Sequence, residues 1–297
     1  MIDRLEMFIA LANARHFGRA AESLGVSQPT LSGAIRSLED HLGVQLVLRG
    51  SRFQGLTPEG YRVLDWAIRI VGDARTLREE MRSRRHGLSG NLRLGVIPTA
   101  LPMIARLTGP FLSRNSRVGI TILSRTSAEI LDGIEGLTLD AGVTYLDNEP
   151  LGRVVQVPLY VERYRLLVAE GSGLWDGDSI GWAEAADLPL CLLTGDMQNR
   201  RIICQHMAEA GRTVSATVES NSSIALVAHV ATGRWASIVP EALASMVTAG
   251  PGLRSIPVRQ PDAGHLVGLV AALREPHTPL LAALLDEAGK TTVLDSD

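Results

Sequence analysis

Residues 19–44 read RAAESLGVSQPTLSGAIRSLEDHLGV, and this stretch decides the fold of the amino-terminal end. Ala20, Ala21 and Leu24 recur at helical spacing from about Gly18 to Leu24. Gly25 then reads as a stop, where only glycine takes up φ > 0 cheaply. Ser27 has the chemistry of an N-cap, and Pro29 falls in the first turn, where its missing N–H costs nothing. Leu31, Ile35, Leu38 and Leu42 follow at steps of four, three and four, and Gly43 closes the helix. Upstream, Leu5, Phe8, Ile9 and Ala12 mark one more helix between Asp3 and Ala14.

Helix, tight glycine turn and capped helix make a helix-turn-helix, whose second helix offers its first turns to the major groove. The polar edge carries Gln28, Thr30, Ser32 and Arg36. Gln pairs with adenine through two hydrogen bonds, Ser and Thr reach bases or phosphate, and Arg pairs with guanine or phosphate. Periodicity alone leaves open a helical corner with a solvated face. After Gly43, VQLVLRGSRFQGLTPEG reads as a short strand, a glycine-rich turn bearing Arg49 and Arg52, and a return at Leu56. Thr57 caps a further helix, with Pro58 and Glu59 in its first turn.

FGRAAESLGVSQPTLSGAIRSLEDHLGVQLVLRGSRFQGLTPEG resembles the winged helix-turn-helix of LysR-type transcriptional regulators. The likeness lies in the Ala-Ala pair, in Ser-Gln-Pro-Thr-Leu-Ser, in Leu-Glu-x-x-Leu-Gly-Val and in Leu-Thr-Pro-x-Gly. It implies that Ser27, Gln28, Pro29, Thr30, Ser32 and Arg36 face DNA, with Arg49 and Arg52 on the wing. Gly33 departs from the pattern, since members of the family often carry a long polar or basic side chain there.

From Pro58 to about Arg85 only Gly60 and Gly72 interrupt helical character. Leu64, Ile68, Val71, Ala74, Leu77 and Met81 form one narrow stripe along about 28 residues, or roughly 42 Å of helix. A thin stripe on so long a helix suits pairing with a second chain, and LysR-type regulators dimerise through such a linker. RSRRHGLSGN (Arg82–Asn91) reads as a hinge.

The remaining two-thirds alternates strand and helix, which implies an α/β fold with a mainly parallel sheet. Strands end at Ile97, Ser124, Thr194 and Ser220, and helices open soon after, near Ser127, near Gln198 and at Asn221. LDAGVTY, RYRLLVA, ASIVP and GHLVGLVAAL supply further strands. This part resembles the periplasmic-binding-protein-like (type 2) effector domain of the same family. The expected division is a winged helix-turn-helix at 1–58 and a linker helix with hinge at 59–89. A two-lobed domain follows at 90–297, with lobe I at 90–161 and 266–297 and lobe II at 162–265.

Ligands in open α/β sheets collect beyond the carboxyl ends of strands. Thr99 with Ala100, Ser127, Gln198 with Asn199, and Asn221 sit at those junctions, and Tyr145 ends another strand. Each helix start offers unpaired N–H groups and a positive dipole end. Arg125, Arg200 and Arg201 lie near in sequence. The expected effector is a small carboxylate or inorganic anion, although Ser, Thr and Asn at such places also serve as plain N-caps.

Composition narrows the alternatives. Hydrophobic content of 45% with 21% charged residues describes a globular chain, and no apolar run is long enough to span a membrane. Residues 1–88 carry a net +3 and the remainder −6, so nucleic acid suits the front end only. Cys191 and Cys204 form no disulfide framework, and the amphipathic start is unlike an export signal, which points to the cytoplasm. Cys191, Cys204 and His206 lack the spacing of a metal site, and His229 reads as a core or interface residue. No nucleophile elbow, phosphate loop or H-E-x-x-H motif is present, so no enzyme and no cofactor is expected. The resulting expectation is a homotetrameric regulator of promoter DNA, with RNA polymerase as a further partner and an effector in the interlobe cleft. Within the family, VIPTALPMIARL, ILSRTSAEIL and TPEGYRVLDWAIRIV resemble regulators linked to formate or one-carbon metabolism. The rival readings are a solute-binding protein and an α/β enzyme.

Overall fold

The computed structural model describes residues 1–48, 50, 53–259 and 264–291. Four helices open the chain: α1 (Ile2–Ala14), α2 (Phe17–Ser23), α3 (Gln28–Leu42) and α4 (Pro58–His86). Then come β1 (Gly90–Val96), α5 (Leu101–Arg114), β2 (Val118–Ser124), α6 (Ser127–Glu135), β3 (Ala141–Tyr145) and β4 (Val154–Glu162). The middle section contains β5 (Tyr164–Ala169), β6 (Ile180–Gly181), α7 (Trp182–Ala186), β7 (Leu190–Leu193) and α8 (Gln198–Glu209). It continues through β8 (Ala216–Ser220), α9 (Ser223–Val230), β9 (Ser237–Pro240), α10 (Glu241–Val247) and β10 (Leu253–Arg259). The chain returns through β11 (His265–Ala272) and α11 (Pro279–Thr291).

Local chemistry sets the helix ends of the first module. Ser27 Oγ accepts from the Thr30 amide at 3.3 Å, and Thr57 Oγ1 accepts from the Gly60 amide at 2.9 Å. Gly25 and Gly43 adopt φ of +66° and +69°, the left-handed backbone that ends α2 and α3. Leu31, Ile35 and Leu38 of α3 are buried with Phe8, Leu11 and Ala20 in one apolar cluster. Glu39 Oε1 takes the amides of Leu46 and Val47 at 2.7 and 3.2 Å, tying α3 to the Val47–Leu56 bridge at the base of the wing.

The sheets are mixed, not mainly parallel. The first runs β2-β1-β3-β11-β4, with β2/β1 and β1/β3 parallel but β3/β11 and β11/β4 antiparallel. The cause is the chain path: β4 leaves this sheet, and β11 comes back beside it in the opposite direction. The second sheet runs β6-β10-β5-β9 and is antiparallel except at β6/β10, and β7/β8 form a separate parallel pair. Two crossings therefore join the sheets, at residues 162–164 and between β10 and β11. The helix expected at Asn221 starts at Ser223, because Ser222 is still extended.

The α4 stripe also differs from expectation. Ala67 and Val71 are fully buried, and Leu64 and Ile68 partly so, against the protein's own first module. The apolar residues that α4 leaves exposed on one side are Trp66, Ile70, Leu77 and Met81. At 3.6 residues per turn these four lie within about 60° of arc.

Candidate functional site

On α3 the polar edge is presented outward. Ser27, Gln28, Pro29, Thr30 and Arg36 are exposed and Ser32 is half-buried, while Leu31, Ile35 and Leu38 hold the opposite side in the core. Gln28, Ser32 and Arg36, four residues apart, share one face. Ser27 and Thr30 bond each other through their hydroxyls at 2.8 Å, which fixes the first turn of that face. Gly33 is exposed with nothing within 4 Å of a Cβ built on it, so no packing demands a glycine there. Arg49 and Arg52 lie outside the described residues.

Between the two sheets, Thr99, Ser127, Tyr145, Gln198 and Asn199 line one chamber with Ile97, Pro98, Leu193 and Met197. Its volume of about 10 Å³ has room for roughly one water-sized molecule. Pro98 and Met197 also border a wider cleft of about 570 Å³, where Asn221, Ser222 and Arg125 lie. Ala100 faces elsewhere, into a separate apolar cavity beside Met103 and Leu107.

Two helix starts, those of α6 and α8, reach the chamber, and those of α5 and α9 reach the cleft. Thr126 and Glu129 close the start of α6 with a capping box, whereas no side chain caps α5 or α8. Ser127 Oγ accepts from Thr144 at 2.9 Å, which leaves its own proton to donate. Gln198 Nε2 donates to the Asp147 carbonyl at 3.2 Å, and its buried Oε1 has no hydrogen-bond partner among the described residues. Arg200 bonds the Leu193 carbonyl at 3.1 Å and pairs with Glu219 at 3.0 Å. Arg201 grips Glu149 with two nitrogens at 2.6 and 2.8 Å. Of the three arginines, Arg125 lines the cleft, beside Glu129 and Asp196.

Behind the chamber lies a buried polar cluster that the sequence reading missed. Tyr145 donates to Glu162, a 3% exposed carboxyl, and accepts from Asn199 Nδ2 at 3.2 Å. Burial pushes the Glu162 carboxyl up to about 7, against the lowering effect of hydrogen bonds from Tyr145 and Tyr164. Burial, then the neighbouring Glu162, raises the Tyr145 phenol well above its ordinary value. His206 stacks on Trp182 at 4.7 Å and meets His265 at 3.0 Å. The available signal was an acid inside YVERY, a run otherwise patterned for burial. Among the described residues no group of three His, Cys, Asp or Glu is placed to hold a metal ion.

An outward-facing helix-turn-helix, a long helix and a cleft between two α/β sheets define a ligand-responsive DNA-binding protein. The description "Bacterial regulatory helix-turn-helix protein, lysR family" matches residues 2–61, and "LysR substrate binding domain" matches residues 85–292. The chain belongs to the LysR family: it is a DNA-binding transcriptional regulator with an effector-binding domain, not a solute-binding protein or an enzyme. It is 33% identical over 298 residues to a probable hydrogen peroxide-inducible genes activator of Streptomyces viridosporus, covering 96% of this chain and 93% of that one. It is 30% identical over 277 residues to the DNA-binding transcriptional dual regulator OxyR of Escherichia coli K12, covering 93% and 90%. A point variant of full-length OxyR from Pseudomonas aeruginosa superposes with a TM-score of 0.75 at 27% identity, over 97% of this chain and 94% of that one. No helix among the described residues is long and apolar enough to cross a membrane.

Proposed function

We propose that the chain acts in the cytoplasm as a homotetramer on promoter DNA, where a small anion bound in the interlobe cleft, at its border with the chamber, sets its activity. In this division of labour residues 1–58 read the duplex, 59–89 pair two chains and 90–297 bind the effector. Gln28, Pro29, Thr30, Ser32 and Arg36 face the bases and phosphates of an interrupted inverted repeat, with Ser27 holding the first turn. A change in cleft closure alters the spacing of the reading heads and their access to RNA polymerase.

The observation that carries the effector reading is the convergence of Thr99, Ser127, Tyr145, Gln198 and Asn199 on one chamber. The Ser127 hydroxyl and the uncapped start of α8 supply donors to an anion. Asn221 and Arg125 serve the part of the ligand that extends into the cleft. The unpartnered Gln198 Oε1 asks for a donor in return, which favours an acid with an O–H or N–H of its own.

The names of the relatives raise hydrogen peroxide as a second reading. A peroxide sensor that works through sulfur needs an accessible thiolate. Here no cysteine lines the chamber, and Cys191 is fully buried with its thiol pushed up to about 11 by burial. Cys204, half-buried on α8, accepts from Arg200 Nε at 3.2 Å and is the thiol that such a reading would use.

Calorimetric titration of the full-length protein with small acids, beside peroxide treatment followed by intact-mass measurement, separates the two. Binding of an acid that Ser127→Val abolishes supports the anion. A peroxide-dependent mass gain on Cys204 that changes DNA affinity, with no acid bound, replaces it.

A further inference from the structure

Among the described residues, the apolar cluster of the amino-terminal module draws on positions 2 to 71 and on one residue from beyond the linker, Leu137. Leu137 sits just past α6. Its carbonyl accepts from Arg75 Nη1 of α4 at 3.1 Å, and the Gly136 carbonyl accepts from Asn13 Nδ2 of α1 at 2.8 Å. Leu137 has φ of +57°, a backbone that a residue with a bulky side chain rarely adopts. At Gly136 an added Cβ would lie 2.7 Å from Asn13 Oδ1, so a larger residue there would have to displace the Asn13 side chain.

The other end of α6 is Ser127, in the wall of the chamber. Nine residues at ~1.5 Å each make a rod of roughly 13 Å between the two. The rod has no slack against its sheet. A Cβ at Gly142 would collide with Ile130, and one at Gly95 would lie 2.6 Å from Leu139 Cδ1 and 2.9 Å from Ile130 Cγ1. Interiors packed this closely shift as bodies and do not deform gradually.

We propose that α6 is a strut that transmits the state of the chamber at Ser127 to the DNA-reading module of the same chain through Leu137. Its regulatory meaning rests on the reading of the chamber as the effector site. A ligand that fits one placement of α6 better than another shifts the balance between a seated and an unseated Leu137. In the seated state Asn13, Arg75 and the apolar socket hold the helix-turn-helix against the effector domain. In the unseated state that tie is lost and the module is free to reorient on DNA.

Hydrogen exchange in the full-length protein tests the strut, with the last turn of α1 as reporter, including the Arg15 amide bonded to the Leu11 carbonyl at 2.9 Å. Leu137→Ala accelerates exchange there by at least about tenfold, while amides of β1 and β3 keep their rates. Ser127→Val crowds the chamber, gives the same acceleration without touching α1, and adds nothing on top of Leu137→Ala. Thr144→Val, which deletes the hydrogen bond Ser127 accepts, is the second perturbation at that end and decides the matter if Ser127→Val does not fold. Unaltered exchange in α1 for folded chamber-end variants, or additive acceleration in the double variant, overturns the proposal. Titration of the wild-type chain with formate, malonate and phosphate separates the two readings. Binding without any change in α1 overturns the strut alone, whereas no binding with the variant coupling intact overturns the effector assignment alone.

Discussion

His206 of α8 and His265 at the start of β11 meet Nε2 to Nε2 at 3.0 Å, across the boundary between the two sheets. A contact of that length holds one proton. Asn148 Nδ2 lies 2.8 Å from His265 Nδ1, so with that amide donating, His265 gives its Nε2 proton to His206. A second proton would set two N–H groups against each other. Burial lowers the pKa of His206, and repulsion between the two rings, were both protonated, lowers it further. Its neutral form is the folded one, so its contribution to stability is complete above about pH 6.5 and is lost as pH falls. Glu162 has the opposite sign. Its folded pKa is raised from 4.5 to about 7, so its contribution is complete below 4.5 and is lost as pH rises through 7. The two effects oppose each other in the same window, and variants separate them. In thermal melts from pH 5 to 8, Glu162→Gln removes the alkaline loss and leaves a steeper acid one. His206→Phe, which keeps a ring against Trp182, does the reverse. Profiles that match the wild type in both variants would show that neither group titrates as its surroundings dictate.

Two glycine substitutions have opposite signs. At Gly142 a Cβ would collide with Ile130 and approach the Gly95 carbonyl at 3.2 Å, so Gly142→Ala lowers stability by about 1–3 kcal/mol through overpacking. At Gly33, exposed in the middle of α3 with open space around it, Gly33→Ala raises stability by about 1 kcal/mol. Urea unfolding monitored by circular dichroism measures both. A stable Gly142→Ala protein would mean that α6 can move off its sheet.

Features decided by neighbours in sequence were legible, and those decided by distant pairing were not. Ser27, Gly43 and Thr57 mark helix ends through bonds that span four residues or fewer, so their chemistry is visible in a line of text. Thr99, Ser127 and Gln198 were legible as strand ends, but only the fold brings them to one chamber. The reversed direction of β11 depends on a partner more than a hundred residues away, β4, and periodicity carries no sign of direction. Glu162 was opaque for the same reason: its hydrogen-bond donors, Tyr145 and Tyr164, stand on different strands, and charge alone suggests a solvated residue. On α4 the apolar residues at helical spacing include one set that packs inward and another left outside, and spacing cannot tell them apart.

The exposed edge of α3 predicts a split between sequence reading and general affinity. Gln28→Ala lowers affinity for the specific operator by about 1–3 kcal/mol and leaves affinity for random duplex, and its salt slope, unchanged. Arg36→Ala tells which role that side chain has. A loss shared by all sequences, with a salt slope reduced by about one, marks a phosphate contact. A loss confined to the operator marks a base contact. Fluorescence anisotropy at several salt concentrations, on an operator selected from genomic fragments, provides the measurement. Equal losses on both duplexes for Gln28→Ala would remove that residue from the reading edge.

The stripe of Trp66, Ile70, Leu77 and Met81 predicts where two chains meet. Leu77 is 60% exposed and Trp66 is 62% exposed, although Ala67 and Val71 of the same helix are fully buried. Burying a leucine of this kind contributes roughly 1.5–3 kcal/mol, so its replacement by a charge weakens the pair by about a hundredfold or more. Leu77→Glu and Ile70→Glu therefore shift the protein towards monomer in analytical ultracentrifugation at micromolar concentration. Operator affinity falls with them, because one chain spans one half-site. Tyr61→Glu is the control: Tyr61 is equally exposed on α4 but lies roughly 140° around the helix from Trp66. If Tyr61→Glu dissociates the assembly and Leu77→Glu does not, the chains pair through the other side of the helix and the stripe has another occupant.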